Sequence, residues 1–231
     1  CYEKAVHLKP DYQEAWTNKS LVNLFLKNYK VGWDNFDWRL IAKDVSLKKT
    51  IEGLKTWNGS GCKNLLVFTE QGIGDIIFYA SILEAVKSRV ENMTVTTDLR
   101  LIPILSRSFP NISFVDHNAP LNNNLYDAQI QLASLPVVIG MTPDTVGRSA
   151  PYLISNNELT SVLQNKTSPN KQLKCGIAWK SSNKKIGKDK SILLSDLNEI
   201  LQVDGFEFIN LQYGDTQKEI EDLEKNYGAK L

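Results

Sequence analysis

The sequence has few of the residues that hold metals or form disulfides. It contains only three cysteines, Cys1, Cys62 and Cys175, and two histidines, His7 and His117. The cysteines lie far apart without CxxC spacing, and the histidines form no local cluster with them. Three scattered cysteines argue against a disulfide framework, and their spacing argues against a Cys/His zinc site. With no paired acidic DxD motif either, we expect no metal and no cofactor.

The sequence also lacks a long apolar run and an excess of charge of either sign. Its longest apolar stretches, such as 76–80 and 135–140, are far shorter than the roughly 20 residues of a membrane helix. No signal peptide pattern opens the chain, so we expect a cytoplasmic protein without a membrane span. A net charge of +1 argues against a nucleic-acid partner. The hydrophobic fraction of 42% is that of a folded globular chain.

Residues 1–30 carry a helical pattern that is interrupted at Pro10, because proline cannot continue a helix. The second helical stretch has one broad apolar face, made of Trp16, Leu21, Leu24 and Phe25. If Pro10 closes a tetratricopeptide (TPR) repeat of about 34 residues, Ser20 and Gly32 fall where that repeat needs small residues for helix contact. An ordinary helical hairpin is the alternative. A further helix is predicted around 33–42, and a turn-rich stretch at 57–61 ends this part.

From residue 61 short apolar strands alternate with helices. Strand patterns lie at 64–69, 94–97, 112–115 and 128–131, with helical patterns at 75–90 and 99–108 between them. This alternation predicts an α/β protein with a parallel, Rossmann-like sheet. After a polar linker at 166–172 the pattern restarts with strands at 173–179 and 206–211 and helices at 194–203 and 216–227. We therefore predict three segments: TPR-like helices and a connector at 1–60, a Rossmann-like domain at 61–165, and a partial second one at 166–231.

The strongest local motif is Glu70-Gln71-Gly72-Ile73-Gly74-Asp75, set between a predicted strand and a helix. Ligands of open α/β sheets bind at the carboxyl ends of strands, and glycines there allow tight turns and close backbone approach. We therefore predict that Gly72 and Gly74 bind substrate. Asp75 has two interpretations, an acid that stabilises the start of a helix or a general base.

A dinucleotide-binding interpretation of the same loop is disfavoured. Asp98 lies near the end of the second strand, about where a ribose-binding acid is expected. However, the third glycine of the fingerprint is replaced by Ile77, and Asp75 would face the pyrophosphate.

A second candidate site follows the strand that begins at 173. Five lysines lie between residues 180 and 191, with hydroxyl side chains between them. Such a loop can neutralise a diphosphate, and Lys180, Ser181, Lys190 and Ser191 are the predicted substrate-binding residues. A solvated basic loop without a ligand is the alternative.

The order of these motifs resembles bacterial glycosyltransferases of the family-nine, heptosyltransferase-like type, with the two-domain GT-B fold, that follow TPR repeats. The resemblance rests on the repeat end, Gly32-Trp33 to Trp38-Arg39, Trp57-Asn58-Gly59-Ser60, Glu70 to Asp75, Ala150-Pro151-Tyr152-Leu153, Gly176-Ile177-Ala178-Trp179, Asp189-Lys190-Ser191 and Leu211-Gln212. It implies inverting sugar transfer from a nucleotide-sugar donor to a hydroxyl acceptor, a glycan or a protein. It also implies that Asp75 is the base and that Lys180 and Lys190-Ser191 hold the donor diphosphate. The family usually has an Arg-Ser pair at the last position, and lysine keeps the charge but loses the bidentate fork.

The resemblance further implies a piece of a longer enzyme, since the sequence starts at Cys1 within a helical pattern and the donor domain would continue past Leu231. We expect the piece to be inactive alone, to expose apolar surface near its end, and to form a homo-oligomer in compensation. The competing hypothesis is a non-catalytic module whose TPR helices bind a protein partner beside a degenerate Rossmann-like platform.

Overall fold

A computed structural model describes residues 1–41, 50–70, 72–142, 151–166, 172–181, 183 and 187–231. Parts of the predicted connector before residue 55 and of the linker at 166–172 lie outside these residues. The contacts divide the chain into two compact units, Cys1–Asn157 and Glu158–Leu231. The finer division into segments 1–60, 61–165 and 166–231 stays a prediction.

The first unit begins with short helices: α1 (Tyr2–Leu8), α2 (Gln13–Phe25), α3 (Tyr29–Asp34) and a 3-10 turn (Phe36–Leu40). The predicted interruption at Pro10 is confirmed. The predicted single helix at 33–42 is wrong, because α3 ends at Asp34. Asn35 follows its last residue and donates its side-chain amide to the carbonyl of Val31 at 2.8 Å.

Helices α2 and α3 touch through small residues. The buried Ser20 hydroxyl donates to the Gly32 carbonyl at 2.8 Å. A Cβ atom added at Gly32 would lie 2.5 Å from Leu24 Cδ2, so the approach leaves no room for a larger residue. The predicted small-residue contact is confirmed, while the assignment of these helices to a TPR repeat stays a prediction.

The centre of the first unit is a four-stranded parallel sheet. Its strands are β1 (Cys62–Phe68), β2 (Val90–Thr97), β3 (Ser113–Asp116) and β4 (Ala128–Gln131), in the order β3-β2-β1-β4. Phe68, at the end of β1, lies in register with Thr96 on one side and Gln131 on the other. The last four residues of β1 are buried, as is typical of a strand covered on both faces. The predicted parallel α/β fold is confirmed for this unit.

Helices α4 (Ile73–Ala80), α5 (Leu83–Lys87), α6 (Ile102–Ser108) and α7 (Leu135–Ile139) accompany the sheet. The predicted helix at 75–90 is divided in two, because Ser81 donates both its hydroxyl and its N–H to the Phe78 carbonyl and ends α4. Helix α7 ends at Gly140, whose positive φ of 65° suits glycine. Among the described residues, none of the helices is long and apolar enough to cross a membrane.

The N-terminal helices share the core of the sheet. Trp33 and Phe36 are buried in the same apolar cluster as Leu65 and Ile130 of the strands. The Trp33 indole N–H donates to the Met141 carbonyl at 2.8 Å. This segment therefore packs as part of the first unit.

Helix α8 (Asn157–Lys166) lies in the second unit except for its first residue. The same unit contains the strands β5 (Leu173–Ile177) and β6 (Phe206–Asn210) and the helices α9 (Asn198–Leu201) and α10 (Gln217–Tyr227). The two strands pair in parallel. The predicted helix at 194–203 begins as a 3-10 turn, Leu194–Leu197. The core of the second unit consists of Trp179, Leu194, Leu201, Leu223 and Ala229. Several large apolar side chains are exposed, namely Leu173, Leu193, Leu211 and Tyr213. That an oligomer covers them stays a prediction.

Candidate functional site

The glycine loop lies at the carboxyl edge of the sheet, where β1 ends. Gly72 caps α4 in an extended conformation (φ −66°, ψ 165°), and its carbonyl accepts the Ile76 N–H at 2.9 Å. Gly72, Gly74 and Asp75 are all exposed there. The structure thus brings these three predicted residues together at one surface, whereas Gln71 lies outside the described residues.

The prediction that a tight turn requires these two glycines is wrong. Neither Gly72 nor Gly74 has a positive φ, so the turn itself does not require glycine. A Cβ atom added at Gly74 would meet no atom within 4 Å, and one at Gly72 would meet only Asp75 Oδ2 at 3.4 Å. The space above Gly74 is therefore open, and close approach of a ligand is the use that this space permits.

Asp75 stands in the first turn of α4 with its carboxylate exposed. In the part of the chain that the structure describes, it forms no ion pair. One turn later Tyr79 is buried, and burial, opposed by Arg39 and reinforced by the charges of Asp75 and Glu70, raises the pKa of Tyr79 to about 12. An exposed carboxylate at this edge can accept a proton from a hydroxyl group, and it also suits the start of a helix.

A buried ion pair behind this loop was not found from the sequence. Arg39 Nη2 donates to Glu70 Oε1 at 2.7 Å and to Ser134 Oγ at 2.9 Å. Arg39 Nη1 donates to Asp37 Oδ1 at 2.6 Å. Glu70 Oε1 also accepts the backbone N–H of Ala133 at 3.3 Å. Removal from water raises the pKa of Glu70, and the charge and hydrogen bonds of Arg39 oppose this rise.

The carboxylate of Asp98 is already occupied. Arg100 Nε and Nη2 donate to its two oxygens at 2.9 and 2.8 Å. These hydrogen bonds hold the pKa of Asp98 well below its usual range. A ribose hydroxyl would have to share this carboxylate with Arg100. Across the described ranges, His, Cys, Asp and Glu side chains form no group of three that could hold a metal ion.

In the second unit, the backbone donors at the end of β5 are bound within the protein. The N–H groups of Trp179 and Lys180 both donate to Gln212 Oε1, at 3.0 and 2.9 Å. The Ser181 N–H donates to Ser191 Oγ at 2.9 Å. These three N–H groups shape the loop and are therefore not free to bind an anion.

Lys180 is not a free cation. Its ammonium forms an ion pair with Glu219 Oε1, and the Trp179 indole N–H donates to Glu219 Oε2 at 2.6 Å. The hydrogen bond from Lys180, followed by that from Trp179, lowers the pKa of Glu219. Glu219 is not among the residues predicted from the sequence.

A cavity of about 540 Å³ lies against this loop. Lys180, Ser181 and Ser191 line it together with Lys188 and Asp189. The predicted ligand Lys190 is exposed but does not belong to this lining. The structure therefore brings together three of the four predicted residues and adds Lys188. Lys184 and Lys185 of the same loop lie outside the described residues.

Comparison with known proteins gives three likenesses. No protein-family model matches the chain. Protein FlbA of Caulobacter vibrioides is 23% identical over an alignment 238 positions long, which covers 92% of this chain and 39% of FlbA. The chain thus spans about two fifths of that relative. The iron-containing dodecameric glycosyltransferase TibC of enterotoxigenic E. coli H10407 superposes with a TM-score of 0.45 at 16% identity, covering 70% of this chain and 45% of TibC. The structure of TibC in complex with ADP-D-beta-D-heptose superposes with a TM-score of 0.43 at 16% identity, covering 73% of this chain and 48% of TibC.

Proposed function

We propose that this chain is part of a glycosyltransferase that moves a sugar from a nucleotide-sugar donor to a hydroxyl acceptor with inversion. The observation that carries the proposal is the exposed Asp75 beside Gly72, at the edge of a parallel sheet where α/β proteins bind ligands. No described residue forms an ion pair with it. The ordered motifs that resemble heptosyltransferase-like enzymes support it. In this proposal Gly72 and Gly74 line the acceptor side.

The reaction is a single displacement. The acceptor hydroxyl gives its proton to a carboxylate oxygen of Asp75 while its own oxygen bonds to the anomeric carbon of the donor sugar. The bond between that carbon and the diphosphate oxygen breaks, and its electron pair leaves with the nucleoside diphosphate. Because attack and departure occur on opposite faces, the configuration at the carbon inverts.

The donor side is assigned to the loop of the second unit. Lys180 and Lys188 offer positive charge at its cavity, and Ser181 and Ser191 line the same space. A diphosphate carries several negative charges, which positive side chains stabilise most as the leaving group forms. Glu219 competes for the Lys180 ammonium, so donor binding draws Lys180 away from Glu219. Lys190 contributes charge from outside the cavity lining.

Sugar transfer is tested with the full gene product that contains residues 1–231. A panel of nucleotide sugars that differ in base and sugar is incubated with it, and release of nucleoside diphosphate is measured. We expect release from one donor class, a product of inverted anomeric configuration by NMR, and no transfer by residues 1–231 alone. Release from no donor at all would contradict the proposed function.

A protein-interaction module is the second candidate, and one observation favours it. The N-terminal helices expose large apolar side chains, with Phe25 86% and Leu26 60% accessible to solvent. Such a surface suits a protein partner. This hypothesis predicts that the gene product binds no nucleotide sugar, so a donor-binding titration separates it from the enzyme.

A further inference from the structure

The Arg39–Glu70 ion pair connects the N-terminal helical segment to the strand end that precedes the glycine loop. Arg39 lies in the 3-10 turn Phe36–Leu40, and Glu70 lies just after β1 and shortly before Gly72. The Arg39 and Glu70 side chains are only 7% and 1% exposed. Charges so deeply buried are stable only with their partners, so the pair fixes both segments to each other.

Other hydrogen bonds hold the same pair from the β4 side of the sheet. Ser134, in the turn after β4, accepts from Arg39 and donates to Asp37 Oδ1 at 2.6 Å. The adjacent Ala133 N–H donates to Glu70 Oε1. Glu70 is thus held by two segments that are distant in sequence, and the backbone that leads to Gly72 begins from a fixed point.

Few other hydrogen bonds could replace this ion pair. Within the described residues, Glu70 Oε2 and Arg39 Nε are buried without a hydrogen-bond partner. If Arg39 is lost, the Glu70 carboxylate keeps only backbone hydrogen bonds, the long one from Ala133 and one within Glu70 itself. Because an uncompensated charge cannot stay buried, Glu70 would take up a proton or move toward water, and in either case the backbone that leads to Gly72 loses its fixed point.

We propose that Arg39 is a positioning residue of this site, which holds Glu70 and thereby sets the place of Asp75. The inference rests on the proposed function, because the positioned group is the base. Arg39 itself touches no substrate. A base must lie within hydrogen-bond reach of the hydroxyl, and a displacement of about 1 Å can lower the rate roughly 100-fold. The N-terminal helical segment is therefore required for turnover as well as for folding.

The test compares Arg39→Lys and Arg39→Met with a control, Lys30→Met. Arg39→Lys keeps the charge but loses the forked geometry of the guanidinium. If Arg39→Met does not fold, Arg39→Lys alone decides the test. Lys30 forms an exposed ion pair with Asp34 at 2.7 Å in the same segment, away from the loop. Two experiments are done on the full gene product: steady-state kinetics, which give kcat and donor KM for sugar transfer, and hydrogen exchange of α4 relative to β2.

We expect Arg39→Lys to lower kcat at least about tenfold, and Arg39→Met about 100-fold, with donor KM changed less than about twofold. Exchange should accelerate in α4 and stay unchanged in β2, and Lys30→Met should alter neither the kinetics nor the exchange. The inference would be overturned if Arg39→Lys kept the kcat of the parent. It would also be overturned if donor KM rose by as large a factor as kcat fell. If the parent transfers no sugar, the proposed function fails, and exchange alone decides whether Arg39 holds α4: unchanged exchange overturns that claim too.

Discussion

The ammonium of Lys180 is paired with the carboxylate of Glu219, which lies 39 residues later in the chain. The second oxygen of Glu219 is held by the Trp179 indole N–H, so the carboxylate is fixed beside the cavity. The lysine expected to bind a diphosphate is therefore partly neutralised in the unbound protein. Glu219 controls how much positive charge this cavity offers to a ligand.

Glu219→Gln should strengthen anion binding. Glutamine can still accept from the Trp179 indole but no longer neutralises Lys180, so we expect the affinity for inorganic pyrophosphate to rise about fivefold, the value of one surface charge pair of about 1 kcal/mol. Glu221→Gln is the matched control, since Glu221 lies on the same helix and accepts only from Gln217 in the described contacts. Equal affinities measured by calorimetry for parent and Glu219→Gln would show that Lys180 does not bind the anion.

The same ion pair predicts a pH dependence of stability. Lys180 holds the pKa of Glu219 below its ordinary value of 4.5. A lowered carboxyl pKa contributes stability above that ordinary value, and the contribution is lost as the pH falls through the pKa of the folded protein. The difference in unfolding free energy between parent and Glu219→Gln should therefore shrink below pH 4.5. Denaturant titrations at several pH values measure it, and a constant difference would contradict the prediction.

Gly32→Ala tests the contact between the N-terminal helices. A new Cβ atom would lie 2.5 Å from Leu24 Cδ2. We expect an overpacking loss of about 1–3 kcal/mol in unfolding free energy, which exceeds the roughly 1 kcal/mol that alanine gains in helix propensity. Gly61→Ala is the control, because nothing lies within 4 Å of its added Cβ. If Gly32→Ala and Gly61→Ala have the same unfolding free energy, the helices can move apart at Gly32 without cost, and the prediction is wrong.

Gly74→Val separates folding from ligand binding. The added side chain enters open space at a helical position, so the unfolding free energy should change by less than about 1 kcal/mol. If a ligand approaches this backbone, turnover should fall by at least about tenfold. The two measurements are a denaturation curve and a transfer rate on the same preparation. Normal turnover of Gly74→Val would show that the glycine loop is not part of the active site.

Local patterns located all four strands of the first unit, but β2 begins at Val90, four residues before the predicted strand at 94–97. The first half of β2, Val-Glu-Asn-Met, carries polar residues and shows no apolar run. The local patterns failed at the helix ends. Ser81 donates back to Phe78 where α4 ends, and Asn35 donates back to Val31 where α3 ends. Asn23 donates to Lys19 in the same way inside α2, so neither the residue type nor this bond marks a helix end in the sequence.

The candidate site was predictable where its residues are contiguous. Gly72, Gly74 and Asp75 belong to one motif at the end of one strand. The pairs Arg39–Glu70 and Lys180–Glu219 join residues 31 and 39 positions apart, and their pairing depends on tertiary packing. One signal was present: Arg39 ends a stretch that contains Trp33, Phe36 and Trp38, and its guanidinium lies 4.4 Å from the centre of the Phe36 ring. A charged side chain that is buried against aromatic rings needs a partner of opposite charge.

The measurement that tests the central claim most directly is single-turnover sugar transfer by Asp75→Asn in the full gene product. Asparagine keeps the shape of the side chain and the start of α4, so stability should change by less than about 1 kcal/mol. Asp98→Asn is the control, since it alters a carboxylate at the end of the neighbouring strand that Arg100 already occupies. If Asp75 is the base, transfer falls roughly 10²–10⁴-fold while donor affinity stays the same, and Asp98→Asn transfers at the parent rate. Transfer by Asp75→Asn at the parent rate would contradict the account and leave Asp75 as a residue that only stabilises the start of a helix.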